Sequence, residues 1–186
     1  MAETLDVNII SDNIIDVQDI LQYVNVEFDV DIKVIGIKRM DNWKYENSFQ
    51  IVDNKKIISY IDDNKIIWYD MKISYDICCG IYIEKTFDKY CTCFCVDTKE
   101  LYYLLNNKSL EIFDSICNAL IAKADIYKIT LAAIGIESSF EYSGSDIETI
   151  KNCSDILRWM IFNSNITQLN GFVKINELNN CKIFSC

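Results

Sequence analysis

Three cysteines, Cys91, Cys93 and Cys95, stand at alternate positions of the sequence. Alternate side chains of a strand point the same way but start about 6.8 Å apart along it. Two thiolates on one tetrahedral zinc lie only about 3.8 Å apart, given Zn–S bonds of about 2.3 Å, so the three thiols cannot all bind one zinc. Without a CxxC spacing or a histidine, a cross-strand site using Cys78 or Cys79 is the remaining option. We expect metal-free thiols that pack as small hydrophobic side chains.

Catalysis lacks its usual residues in this chain. The 186 residues include no histidine, which removes the commonest general base and the commonest metal ligand. With five glycines and no proline, neither a GxGxxG nor a GxxxxGK[ST] phosphate loop occurs. Paired carboxylates can act as acid and base at a controlled separation, but 28 acidic residues produce such pairs by chance. We therefore expect neither enzymatic activity nor a cofactor.

The net charge of −10 indicates the class of partner. Nucleic-acid binding requires a basic face, so we expect none. A cationic protein partner is favoured because complementary charge speeds encounter, although acidity can also serve solubility alone. We expect no membrane segment, since no apolar run approaches the ~20 residues required, and no signal peptide, which indicates the cytoplasm. The candidate partner-binding residues are Glu27, Asp29, Asp31, Asp62, Asp63, Asp146 and Glu148.

Alternating apolar residues predict the strands that must position these side chains. LDVNIIS predicts the first strand, and residues 26–34 predict a half-buried strand with Glu27, Asp29 and Asp31 on its outer face. DICCGIYIE and KYCTCFCVD predict two strands joined across KTFD, YKITLAAIGIESSFEY predicts one long strand or a bent pair, and GFVKINELNNCKIFSC predicts a closing hairpin. KIISYIDDNKIIWYDMKISY also fits a helix, but its isoleucines, tyrosines and central Asp-Asn favour a hairpin.

Helical periodicity predicts about four helices. SDNIIDVQDILQYV predicts one capped by Ser11 or Asn13, DTKELYYLLNN one capped by Asp97, and ICNALIAKAD a third. SDIETIKNCSDILRWMIFNS predicts the fourth, with a capping box of Ser145 and Glu148. Its expected buried stripe is Ile147, Ile150, Leu157 and Ile161. Together the elements predict one α+β domain over residues 1–186, with an antiparallel or mixed sheet.

Two segments together resemble a known group of proteins. VNIISDNIIDVQDILQYVNVEFD, followed by DNWKYENSF, is similar to the first half of an uncharacterised bacterial domain family with ferredoxin-like βαβ units. CCGIYIEKTFDKYCTCFCVDTKELYYLLNNKSLEIFDSI resembles the second half. The resemblance covers about residues 5–116, so we treat 1–116 as the family-like part and 117–186 as an extension that shares the core. Because the family's members resemble accessory genes beside polymorphic toxins, the resemblance implies an immunity-type role without catalytic residues.

The leading hypothesis is an immunity protein that binds and neutralises a cognate cationic toxin domain. Such a toxin would be a nuclease of a contact-dependent growth inhibition system or a related system, blocked by occlusion and charge complementarity. Two alternatives stay open. The abundance of Ile, Asn, Lys, Asp and Tyr is typical of an A+T-rich genome and suits a viral host-interaction protein. A carboxylate-dependent hydrolase would require a deep cleft around a carboxylate pair.

Overall fold

In the computed structural model of this chain, the described residues contain ten strands and four α-helices, which form an α+β fold. The structure describes residues 4–28, 31–43, 48–51, 53–73, 77–97 and 109–186. In these ranges, each helix is either too short or too polar to cross a membrane.

All strands join one antiparallel sheet in the order β3-β2-β4-β5-β6-β1-β7-β8-β10-β9. The strands are β1 Thr4–Ser11, β2 Lys33–Met40, β3 Phe49–Gln50, β4 Ile66–Ile73, β5 Ile77–Thr86, β6 Lys89–Asp97, β7 Ile129–Ser139, β8 Ser154–Phe162, β9 Val173–Leu178 and β10 Cys181–Ser185. The α+β class is confirmed. Ferredoxin-like units are not confirmed, because β6, β5 and β4 lie between β1 and β2 in the sheet.

Three helices pack on one side of the sheet, which we call the helix face. They are α1 Val17–Phe28, α2 Ile57–Asp62 and α3 Ser109–Tyr127. Their buried side chains join those of the central strands in the main core, which includes Leu21, Ile61 and Leu120. The fourth helix, α4 Asp146–Asn152, lies on the opposite side with the segment that precedes it.

The opposite side carries Cys91, Cys93 and Cys95, and we call it the cysteine face. Ile10, Leu131, Trp159 and Phe184 form a smaller apolar core there, and Phe140, Tyr142 and Ile150 of the α4 region cover it. β6 is therefore buried on both faces over most of its length. The predictions of β1, β5, β6, β7, α3 and the β9–β10 hairpin are confirmed.

The predicted strand over residues 26–34 is wrong, because α1 continues to Phe28 and β2 begins only at Lys33. Asn25 secures the chain between them. Its side-chain oxygen accepts a hydrogen bond from the backbone N–H of Ile32 at 2.9 Å, and its amide nitrogen donates to the Ile32 carbonyl at 3.4 Å. The predicted row of Glu27, Asp29 and Asp31 on one strand therefore does not form.

The predicted hairpin at residues 57–73 is also wrong in its first half. Residues 57–62 form α2, and the buried Ile61 packs in the main core. Tyr60 packs against the same core. The spacing of these two residues fits a helix, which the sequence also allowed. The second half forms β4 as expected. Burial of two residues on one helical face outweighs the strand propensity of isoleucine and tyrosine.

The predicted long helix after Ser145 ends at Asn152, and residues 154–162 form β8. Ser145 caps the helix as predicted, since its hydroxyl accepts from the Glu148 N–H at 3.3 Å. The predicted buried stripe is wrong, because Ile147 is 53% exposed. The later apolar residues are buried in a strand with two covered faces, and such a strand lacks the alternation that distinguishes it from a helix.

The predicted caps of α1 are wrong. Ser11 lies within β1, and the Asn13 amide donates to the Ile126 carbonyl oxygen at 3.2 Å. Asp16 takes the capping role, because its carboxylate accepts from the Gln18 N–H at 2.9 Å. The predicted helix capped by Asp97 lies outside the described residues.

Candidate functional site

The turn between β5 and β6 carries an exposed aromatic side chain in an unusual backbone conformation. Thr86 pairs with Lys89 across the two strands, so Phe87 and Asp88 are the turn residues. Phe87 has a φ of 55° and its side chain is 70% exposed. A two-residue hairpin turn with a left-handed first residue favours glycine there, since a Cβ costs about 1–2 kcal/mol in that conformation. The chain thus holds a large apolar side chain in water at a position that suits glycine.

Most other left-handed positions of the described chain carry residues that tolerate this conformation. They include Asn64, Asp155, Asn163, Asn179 and Asn180. Short polar side chains adopt left-handed backbone more readily than bulky ones. Among the described non-glycine residues with positive φ, Phe87 alone is aromatic. Costly backbone conformations are typical of functional sites.

Carboxylates surround this aromatic turn. The Phe87 ring makes an edge-to-face contact with Tyr142, with the ring centroids 6.0 Å apart. Burial raises the pKa of the Tyr142 hydroxyl and three nearby carboxylates raise it further, while Lys89 opposes them. The three carboxylates are those of Asp12, Asp88 and Asp146. Together with Phe87 we call them the acidic turn surface.

The N-terminus of α4 contributes one carboxylate to this surface. Burial raises the pKa of the Asp146 carboxyl, and a hydrogen bond from the Thr130 hydroxyl at 3.4 Å opposes that shift. Glu148, one of the predicted binding residues, pairs instead with Lys151 at 2.8 Å on the exposed side of α4. Of Asp146 and Glu148, Asp146 is therefore the partly desolvated carboxylate. A cation that approaches Asp146 stabilises its negative charge.

Asp62 and Asp63 lie at the same end of the sheet, at the close of α2. The Tyr90 hydroxyl donates to Asp62 Oδ1 at 3.1 Å, and Lys85 Nζ lies 3.6 Å from the same oxygen. Tyr90 and Lys85 are register partners beside the β5–β6 turn. Asp62 therefore borders the acidic turn surface from the helix face. The structure brings three of the predicted residues, Asp62, Asp63 and Asp146, to one end of the sheet.

Asp31, from the predicted group at residues 27–31, lies at the opposite end of the sheet. It precedes β2, which starts there and runs towards the end that carries the β5–β6 turn. Glu27 lies in α1, but its side chain and the whole of Asp29 are outside the described part of the chain. Asp31 is exposed and forms an ion pair with Lys33 at 2.5 Å. Asp31 and the acidic turn surface cannot contact the same small patch of a partner.

A second group of reactive side chains lies on the cysteine face. Asp6 of β1 stands directly opposite Cys95 of β6, and Cys93 is two residues earlier on the same strand. One carboxylate oxygen and the two sulfurs lie within 4.8 Å of one another. Cys91 is buried in the smaller apolar core and is not part of the group. Cys79, one of the two predicted cross-strand alternatives, is opposite Val96 and belongs to the main core on the helix face. The side chain of the other, Cys78, lies outside the described part of the chain.

Hydrogen bonding between the two thiols shifts their pKa values in opposite directions. The bond to Cys95, followed by burial, raises the pKa of Cys93, and the same bond lowers the pKa of Cys95. Cys95 also lies 3.4 Å from the carbonyl oxygen of Gly80, to which its thiol can donate. Burial raises the pKa of Asp6, while hydrogen bonds from Ser138 oppose the shift. Cys95 is therefore the more readily ionised thiol of the pair.

Asp6 and Phe87 are absent from the residues predicted from sequence. Asp6 approaches Cys95 only because β1 pairs with β6, which is distant along the chain. The sequence feature that could indicate Asp6 is a charged residue within the mostly apolar strand LDVNIIS. The KTFD segment was recognised as a turn, but its sequence contains no glycine or asparagine to indicate a left-handed residue. Both sites depend on contacts that local patterns do not specify.

Comparisons of this chain with family models, with curated proteins and with solved structures found no match.

Proposed function

We propose that this protein is an immunity-type binder that neutralises a cognate cationic toxin domain through the acidic turn surface. The observation that supports the proposal is Phe87, an exposed aromatic residue held at a backbone position that suits glycine and bordered by carboxylates. In the free protein the Phe87 ring contacts Tyr142 but stays mostly exposed. Burial against a partner would remove this apolar surface from water.

The proposed mechanism is occlusion of the toxin's cationic surface. Phe87 enters an apolar pocket as the anchor, and large aromatic residues at the centre of an interface contribute most to affinity. Asp12, Asp88 and Asp146 form a polar rim that faces lysines and arginines of the toxin. Lys89 pairs with Asp12 and also acts electrostatically on Asp88 and Asp146, so one cation opposes three carboxylates and the surface keeps a net negative charge. Complementary charge mainly accelerates encounter and selects the partner.

The test uses the toxin domain encoded immediately beside this protein's gene, rendered inactive by substitution for binding work. Biolayer interferometry at low and high salt measures association with the unaltered chain and with Asp88→Lys. We expect Asp88→Lys to slow association by at least about tenfold at low salt and much less at high salt, because charge steering is screened. A growth assay with active toxin should show a parallel loss of protection.

Asp31→Lys is the matched control. It makes the same charge change on an exposed carboxylate at the opposite end of the sheet, and the ion pair with Lys33 that it removes is worth only about 0–1 kcal/mol at a surface. Equal slowing by both substitutions would show that net charge acts without this surface. Absence of a neighbouring toxin gene, or of any protection against its product, would contradict the proposed function itself.

A further inference from the structure

We propose that Asp6, Cys93 and Cys95 form a binding site for a zinc-like divalent metal ion, with a fourth coordination position open to water or to an external ligand. This proposal is independent of toxin binding. It replaces the expectation of metal-free thiols, which depended on three collinear sulfurs. The structure instead offers two sulfurs from one strand and a carboxylate from its neighbour.

The ligand atoms are close to the separation that a metal requires. All three lie within 4.8 Å of one another, and ligands of one tetrahedral zinc lie about 3.5–3.8 Å apart, given bonds of about 2.0–2.3 Å. The remaining distance is about 1 Å, which is within the reach of a small side-chain rotation. Because β1 and β6 pair in register in the middle of the sheet, the backbone that carries the three ligands is already fixed.

Hydrogen bonds beyond the three ligands hold the Asp6 carboxylate in place. The Ser138 N–H and hydroxyl donate to Asp6 Oδ2 at 3.0 and 3.4 Å, and the buried Asn8 amide donates to the Ser138 hydroxyl oxygen at 3.2 Å. Such outer partners orient metal ligands and affect affinity by roughly ten- to hundredfold.

The chemistry of the three ligands and their exposure to solvent indicate which metal ion they bind. Two thiolates and a carboxylate prefer zinc, cobalt or cadmium over magnesium or calcium, which bind oxygen ligands. Cys93 is buried while Cys95 and Asp6 are partly exposed, so solvent reaches one side of the group. Three protein ligands with one accessible side are typical of open zinc sites. Binding replaces the two thiol protons, so each ion taken up releases about two protons where both thiols start protonated.

The test is titration of the reduced full-length chain with Co²⁺ and then with Zn²⁺. Thiolate-to-cobalt charge-transfer absorption in the near ultraviolet should appear at one Co²⁺ per chain with the intensity of two thiolates, and Zn²⁺ should abolish it. Proton release in weakly buffered solution should approach two per ion. Cys95→Ser and Asp6→Asn, which conserve size, should weaken Co²⁺ binding by more than about a hundredfold, above the effect of an outer partner.

Cys186→Ser and Cys153→Ser are the matched controls, since these two thiols are also accessible or partly accessible. Both should retain the absorption. Circular dichroism and a cooperative thermal melt establish that each variant is folded. Absorption that survives Cys95→Ser, or that disappears in either control, would place the ion elsewhere and overturn the proposal. Co²⁺ binding without thiolate absorption, or no binding to the folded chain, would also overturn it.

Discussion

Replacing Phe87 by glycine and, separately, by alanine distinguishes the backbone cost of the β5–β6 turn from the contact that the ring makes. Both changes remove the edge-to-face contact with Tyr142, which is worth about 0.5–1.5 kcal/mol for such a pair. Alanine keeps the left-handed backbone cost, so Phe87→Ala should lower the free energy of unfolding by that amount. Little burial is lost besides, since the side chain is 70% exposed.

Glycine removes the backbone cost as well. Relief of the left-handed conformation raises the free energy of unfolding by about 1–2 kcal/mol. The greater freedom of glycine in the unfolded chain lowers it by about 0.5–1 kcal/mol. At the centre of these ranges Phe87→Gly should be more stable than Phe87→Ala by about 0.75 kcal/mol and within about 1 kcal/mol of the unaltered protein. Both variants should bind the toxin roughly thirtyfold more weakly, the equivalent of about 2 kcal/mol for a lost anchor.

Urea unfolding curves of the three proteins, with a common m-value, measure the stability difference. Asn64→Gly is the control, because Asn64 has a similar φ of 58° but already tolerates it, so glycine there should change stability little. An alanine variant as stable as the glycine variant would refute the left-handed turn. Undiminished toxin affinity in a folded glycine variant would refute the role of Phe87 as an anchor.

Two further predictions concern the cysteine face. Gly80→Ala should lower the free energy of unfolding by about 1–3 kcal/mol through overpacking, because an added Cβ would lie 2.5 Å from the Trp68 ring. Gly36→Ala is the control, since the nearest atom to its added Cβ is 3.4 Å away. In thermal melts of both variants, Gly36→Ala should be neutral or stabilising. Burial raises the pKa of Glu84 above its ordinary 4.5, so its ionised form destabilises the fold as the pH rises through the raised pKa. The melting temperature of Glu84→Gln should match that of the unaltered protein below pH 4.5 and exceed it at neutral pH; a constant difference across that range would contradict this.

Elements bounded by turn or capping residues can be predicted from the sequence. β1, β5 and β6, and the closing hairpin, follow from apolar runs and from turn residues such as Asn179 and Asn180. This holds although β1 and β6 are buried on both faces over most of their length. Ser145 is predictable as a helix cap because its hydroxyl satisfies a local N–H, which needs no tertiary contact.

Elements that adjoin one another without such a boundary signal cannot be predicted in this way. The run that forms β8 is apolar throughout, and its continuation of a capped helix was the simplest local interpretation. Residues 26–28 alternate like a strand, yet α1 extends through them. The candidate sites depend still more on distant pairing, since Asp6 meets Cys95, and Phe87 meets Tyr142, only in the finished sheet. Composition did indicate an acidic surface but could not say which carboxylates share it.

The position of β1 in the middle of the sheet has a consequence for synthesis. Its two partners come much later in the chain, since Ile10 pairs with Cys91 on one side and Leu5 with Ile136 on the other. At about 5–20 residues per second, a ribosome needs on the order of several seconds to deliver β6 after β1 has emerged. Throughout that interval β1 is an apolar strand with both edges unpaired, which is the condition that promotes association between chains. Of the strands in the described sheet, β1 is thus made first but is protected on both edges only after β7 has been made.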